Sequence, residues 1–192
     1  MFFKRDFKPD KSGAGLRNKL HLTQQQRRSL LKWTLYGVLL LVLSLLQDVV
    51  LCRFRLFGAT TELVPCGIIL ICVLEGAERG SVFTLVASVL YLFSGTAAGP
   101  YSVVFLTFLA IGVTVLRQAY LQKGFFAALI CTAVAMIGYE MLNFGIGLFL
   151  SLTIPGRAWG FLLTALLSLL AVPVLYPISL KIGKIGGHIW NE

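Results

Sequence analysis

The stretch LEGAERGSVFTLVASVLYLFSGTAAGPY, residues 74–101, packs three charges and two glycines into residues 75–80 and then runs apolar to a second glycine-rich patch. Its reading depends on the chain around it, in which 57% of 192 residues are hydrophobic and 13% charged. That balance leaves too few polar residues to clothe a soluble domain, and the long apolar runs read as membrane segments. Burying Glu75, Glu78 and Arg79 at bilayer depth would cost about 2.5 kcal/mol or more each. The three charges are therefore expected in water, marking a tight turn at a membrane surface.

Working outward, residues 33–51 form an apolar run that nearly matches a hydrocarbon core of about 30 Å at about 1.5 Å per residue. The sequence Thr23-Gln24-Gln25-Gln26 has capping-box spacing, which places the helix start earlier. Arg27, Arg28 and Lys32 then fall at the headgroups, with Trp33 and Tyr36 as the aromatic belt. The basic lead and apolar run are too long for a cleaved signal peptide, and no small-x-small site follows, so this segment is expected to stay as an anchor. Further segments fall near 60–74, 81–98, 101–116, 124–152 and 159–180. Residues 63–74 and 81–93 are short enough to suit a re-entrant hairpin, but the charges that join them favour two full spans.

The expected fold is an all-α polytopic membrane bundle of about six transmembrane helices. It comprises a basic segment (1–28), a membrane domain (29–180) and a short tail (181–192). Nine of the 17 lysines and arginines lie in residues 1–32, which places the N-terminus, and with an even number of spans the C-terminus, in the cytoplasm. The net charge of +9 is concentrated beside the first span, where anionic lipid rather than nucleic acid is the expected partner.

Catalytic and metal signals are sparse. The four cysteines (Cys52, Cys66, Cys72, Cys131) contain no C-x-x-C and lie far in sequence from His21 and His188, so no metal spacing arises and no cofactor is expected. They read as small apolar fillers, with a Cys52–Cys66 disulfide as a minor alternative. No phosphate-loop, zinc-protease or nucleophile-elbow motif occurs. Glu140 lies near the middle of the fifth segment with Asn143 on the same helical face, as a polar intramembrane spot. Either it hydrogen-bonds a neighbouring helix or it meets a ligand or partner; both readings stand. Asp48, beside Gln47 near the end of the first span, is expected to pair with Arg53 or Arg55. The carboxylates read as isolated rather than paired across a site.

Gly76 and Gly80 have G-x-x-x-G spacing, continued by Thr84 and Ser88. Such a face lets helices approach closely, within the chain or onto a partner's transmembrane helix. Gly95 and Gly99-Pro100-Tyr101 are expected to turn the chain between the third and fourth spans.

On these residues the chain resembles the MreD family, small multispan subunits of the bacterial cell-elongation machinery. The resemblance covers about residues 35–180 and rests on Gln47, Glu62-Leu63, the Gly76/Gly80 pair, Ser94-Gly95 and Gly99-Pro100-Tyr101. Thr61 stands where the family has proline, Leu92 where it has aspartate, and Thr84 and Ser88 replace further glycines, as in a divergent member. The resemblance implies a non-enzymatic scaffold in the bacterial inner membrane. Its partners would be an MreC-like single-span protein, a RodA-type glycosyltransferase with its transpeptidase and, indirectly, MreB filaments. The alternative is a substrate-binding subunit of an energy-coupling-factor vitamin transporter, which needs a pocket lined with polar side chains near the outer face. An intramembrane enzyme would need a paired acid and base at one depth.

Overall fold

A computed structural model describes residues 24–53, 59–120 and 124–185. The described residues are helical apart from short turns. The helices are α1 (Gln24–Val49), α2 (Leu63–Glu75), α3 (Ala77–Phe93), α4 (Tyr101–Tyr120), α5 (Phe125–Phe149), α6 (Ala158–Leu169) and α7 (Val172–Ile185). Three of them, α1, α4 and α5, are long and apolar enough to cross a membrane, and the bent pair α6–α7 makes up to four. Leu41, Val42, Leu45 and Val49 stay exposed along α1, a surface suited to lipid rather than water.

α2 is the centre of the molecule. Its residues are apolar all round the helix, which marks a buried element, and every one from Leu63 to Leu74 is buried. It packs against all six other helices. With 13 residues it is about 20 Å long at about 1.5 Å per residue, short of a full crossing of about 30 Å. The expected full span over 60–74 is thus a shorter core helix, entered through the non-helical residues 60–62.

One residue joins α2 to α3. Gly76 has φ 88° and ψ 169°, a conformation essentially closed to residues with a Cβ, and it reverses the chain into a helical hairpin. Gly95, at φ 79°, does similar work after α3, so both glycine patches of the opening stretch are turns, as read.

The sixth segment, read as one span over 159–180, is broken. α6 and α7 meet at a 48° bend. Pro173 has no N–H for the carbonyl of Leu169, and its ring crowds that carbonyl. The backbone tightens instead through Leu170 N–H to Leu167 O and Ala171 N–H to Ser168 O, both 3.2 Å. Thr23 of the expected capping box, His21, His188 and Arg55 lie outside the described residues, as do most of the basic segment and most of the tail.

Candidate functional site

At the end of the bundle where α2 turns into α3, the chain builds an ionic lock. Lys32 Nζ lies 2.5 Å from Glu75 Oε2, with side chains 2% and 3% exposed. The Tyr36 hydroxyl is 2.7 Å from Glu75 Oε1 and 3.1 Å from the Ser179 carbonyl, while Arg117 Nη1 donates to the Val73 carbonyl. α1, α2, α4 and α7 are tied together there. This corrects one expectation: Glu78 and Arg79 are exposed, but the Glu75 side chain is buried, held by a lysine 43 residues away. Lys32 likewise leaves the headgroup position expected of it and turns into the bundle.

The small-residue face is turned inward. A Cβ at Gly80 would lie 2.8 Å from the Cys72 carbonyl oxygen and 3.0 Å from its Cα. The Thr84 hydroxyl donates to the Gly80 carbonyl at 2.7 Å, and Ser88 meets Thr107 of α4 at 3.1 Å. Gly76, Gly80, Thr84 and Ser88 are all buried. Of the two uses read from the spacing, the face serves packing within the chain and is closed to a partner's helix.

Beneath the opposite end, five helices and the entry to α2 contribute to one buried polar cluster. Gln47 of α1 accepts the Val64 N–H through Oε1 at 3.0 Å, and the Glu62 N–H donates to Ser168 Oγ of α6 at 2.8 Å, so side chains cap the buried start of α2. Tyr91 of α3 lies beside Glu62, Gln47 and Thr96. Tyr139 of α5 lies beside Asn143 and Ser102 and within electrostatic reach of Glu62 and Glu140. The two carboxylates act on each other. Glu140 and Asn143 are 2% and 5% exposed, one polar spot as their spacing predicted. The reading of isolated carboxylates is corrected, since Glu62 of the α2 entry reaches the same cluster. Glu62 entered the sequence reading only as a motif position; its nearness to Glu140, 78 residues on, had no local signal.

Asp48 accepts from Ser44 Oγ at 3.4 Å, one turn back. Cys66, Cys72 and Cys131 are free and buried, so Cys66 forms no disulfide and the filler reading fits. Among the described residues no three His, Cys, Asp or Glu side chains converge as a metal site.

The outer surface carries an apolar groove of about 860 Å³ between α1 and α3. Its lining includes Leu40, Leu41, Val82 and Val86 along the walls, Val64 of α2, and Gly37, where an added Cβ would meet nothing within 4 Å. Ser29, Glu78 and Arg79 lie at one end, Ser44 and Ser94 at the other. It therefore follows about 15 residues of each helix, roughly 22 Å. That exceeds the roughly 15 Å that a lipid in one leaflet could cover, half of a core of about 30 Å.

Compared with known proteins, the chain matches no family model, no curated sequence and no solved structure.

Proposed function

We propose that this chain is a non-enzymatic scaffold subunit of the MreD type in a bacterial inner membrane. In this reading the chain passes back and forth six times, α2 as a short pass enclosed by the other helices, with both termini in the cytoplasm, and it seats a single-span, MreC-like protein that links MreB filaments to a RodA-type glycosyltransferase and its transpeptidase. The observation that carries the reading is the groove between α1 and α3. It is apolar along its length, polar at both ends and longer than one leaflet of the bilayer is deep, whereas the small-residue face is used up inside the bundle. Apolar side chains and an open glycine let a second helix make the close dispersion contacts that hold helices together in lipid.

Six of the motif positions behind the resemblance have a structural task. Gln47 and Glu62-Leu63 form the capped start of the core helix, Gly76 and Gly80 make its hairpin with α3, and Gly95 turns the chain toward α4.

One observation favours the transporter alternative: the polar cluster under the far end of the bundle. Its side chains are packed against one another, with Tyr139 and Glu140 buried, rather than spread around an open cup. Depletion separates the two readings. In a rod-shaped host, loss of the scaffold should round and lyse the cells, and the tagged chain should co-purify an MreC-like protein. Cells that keep their shape, recover growth with an added vitamin and yield an ATPase pair would establish the transporter reading instead.

A further inference from the structure

The flank made by α3 and α4 is shorter than the helices on either side of it. Ser88 of α3 meets Thr107 of α4 at 3.1 Å. In an antiparallel pair that register sets Arg79 level with Leu116, and Ser94 level with Tyr101. One edge of the flank is therefore polar through Glu78 and Arg79, both exposed, with Arg117 next to Leu116. The other edge is the turn from Ser94 to Pro100, non-helical throughout, in which Ser94, Gly95, Thr96 and Ala98 are exposed.

Neither edge belongs in hydrocarbon. Charged side chains are costly there, and irregular backbone facing lipid has no partner for its N–H and C=O groups. A long arginine stem can lift its charge from slightly deeper, but the shorter glutamate beside it marks the edge closely. From Arg79 to Ser94 a helix climbs about 22 Å at about 1.5 Å per residue, against a core of about 30 Å. Tilting the helix only lowers that height.

The neighbouring helices are taller. α3 touches α1, and α4 packs on α5. α1 keeps apolar side chains exposed from Leu30 to Val49, about 28 Å, and α5 from Phe126 to Phe149, about 34 Å. Between them, α3 and α4 expose Val82, Leu90, Phe93, Val104 and Phe108, so the short flank faces lipid rather than another part of the chain.

A bilayer meets a short apolar element by thinning around it. We propose that the α3–α4 flank holds the membrane about 8 Å thinner than its usual core of about 30 Å, and so forms an interaction surface for phospholipids with short acyl chains. Such thinning requires α3 to cross and so rests on the six-pass reading above. The groove between α1 and α3, also roughly 22 Å long, then runs the full height of the thinned core.

The test uses the full chain in vesicles of brominated dioleoyl phosphatidylcholine, mixed in turn with dimyristoleoyl, dioleoyl or dierucoyl phosphatidylcholine. One tryptophan is added to the native set, at Phe108 of α4 or at Val134 of α5, both exposed, and the parent's fluorescence is subtracted. Quenching of the added residue then reports which chain length occupies its surroundings. Phe108→Trp should show a several-fold preference for dimyristoleoyl over dioleoyl chains, and Val134→Trp none. Val104→Trp, one turn earlier on the same face of α4, gives the same reading if Phe108→Trp does not fold. Equal chain-length preference on α4 and α5 overturns the proposal. So does a tryptophan on α4 that brominated lipid fails to quench, which would show that the flank is covered by protein. Single cysteines at 78 and 97 tell the two failures apart: labelling from opposite faces of the vesicle confines the failure to the thinning, while labelling from one face overturns the six-pass reading with it.

Discussion

Lys32 and Glu75 show how far a side chain's local setting can mislead. In sequence, Lys32 is the last of a basic run before an apolar span, and Glu75 the first of three clustered charges; both read as interfacial. In the fold the two are 2.5 Å apart with almost fully buried side chains, because α2 runs back along α1 and brings its C-terminal end against the first turns of α1. Removing one partner of such a pair leaves an uncompensated buried charge, whereas replacing both can be close to neutral. Lys32→Met alone should therefore cost about 3–5 kcal/mol of stability. The double variant Lys32→Met/Glu75→Leu should recover most of that loss in detergent unfolding experiments. A double variant as unstable as the single one would show that the ions do more than compensate each other. Glu140 and Asn143 were legible as a polar spot because three-residue spacing puts them on one helical face. Glu62 was not, because its nearness to Glu140 is a property of packing alone.

Among the elements, apolar length placed a segment over each described helix but read α6 and α7 as one, and the glycines located the turns on either side of α3. What they left open was the vertical extent of each helix. α2 is shorter than a crossing because its first backbone donors are met by Gln47 and Ser168 inside the bundle, a partnership that no window of sequence displays. The break in the sixth segment did have a signal in Pro173, which an average over apolar residues overlooks. G-x-x-x-G spacing likewise announced close approach without saying to what. With Cys72 backbone only 2.8 Å from a Cβ at Gly80, Gly80→Ala should force the hairpin apart at a cost of about 1–3 kcal/mol, the usual range for overpacking. Gly80→Leu should sharply lower the amount of folded protein in the membrane. Normal accumulation of the leucine variant would show that the α2–α3 contact is looser than this geometry.

The molecule as a whole joins a firmly tied interior to an open flank. The ionic lock, the α2–α3 hairpin and the polar cluster fix the core helix at both ends, while α1 keeps an exposed apolar side and shares a groove with α3. In the proposed orientation, the lysines and arginines concentrated in residues 1–32 put the N-terminus in the cytoplasm. Single cysteines placed in a cysteine-free background should show it: position 97 should react with an impermeant maleimide added outside intact cells, and position 78 should not. Labelling at 78 alone would invert the bundle. The scaffold reading itself rests on the groove, and Gly37 is where it can be filled without disturbing the fold. The most direct measurement is therefore co-purification of the MreC-like partner with Gly37→Leu, at matched amounts of protein in the membrane. The account predicts that the partner is lost while folding and thermal stability are kept; a partner retained at the parental level by a folded Gly37→Leu protein would contradict it.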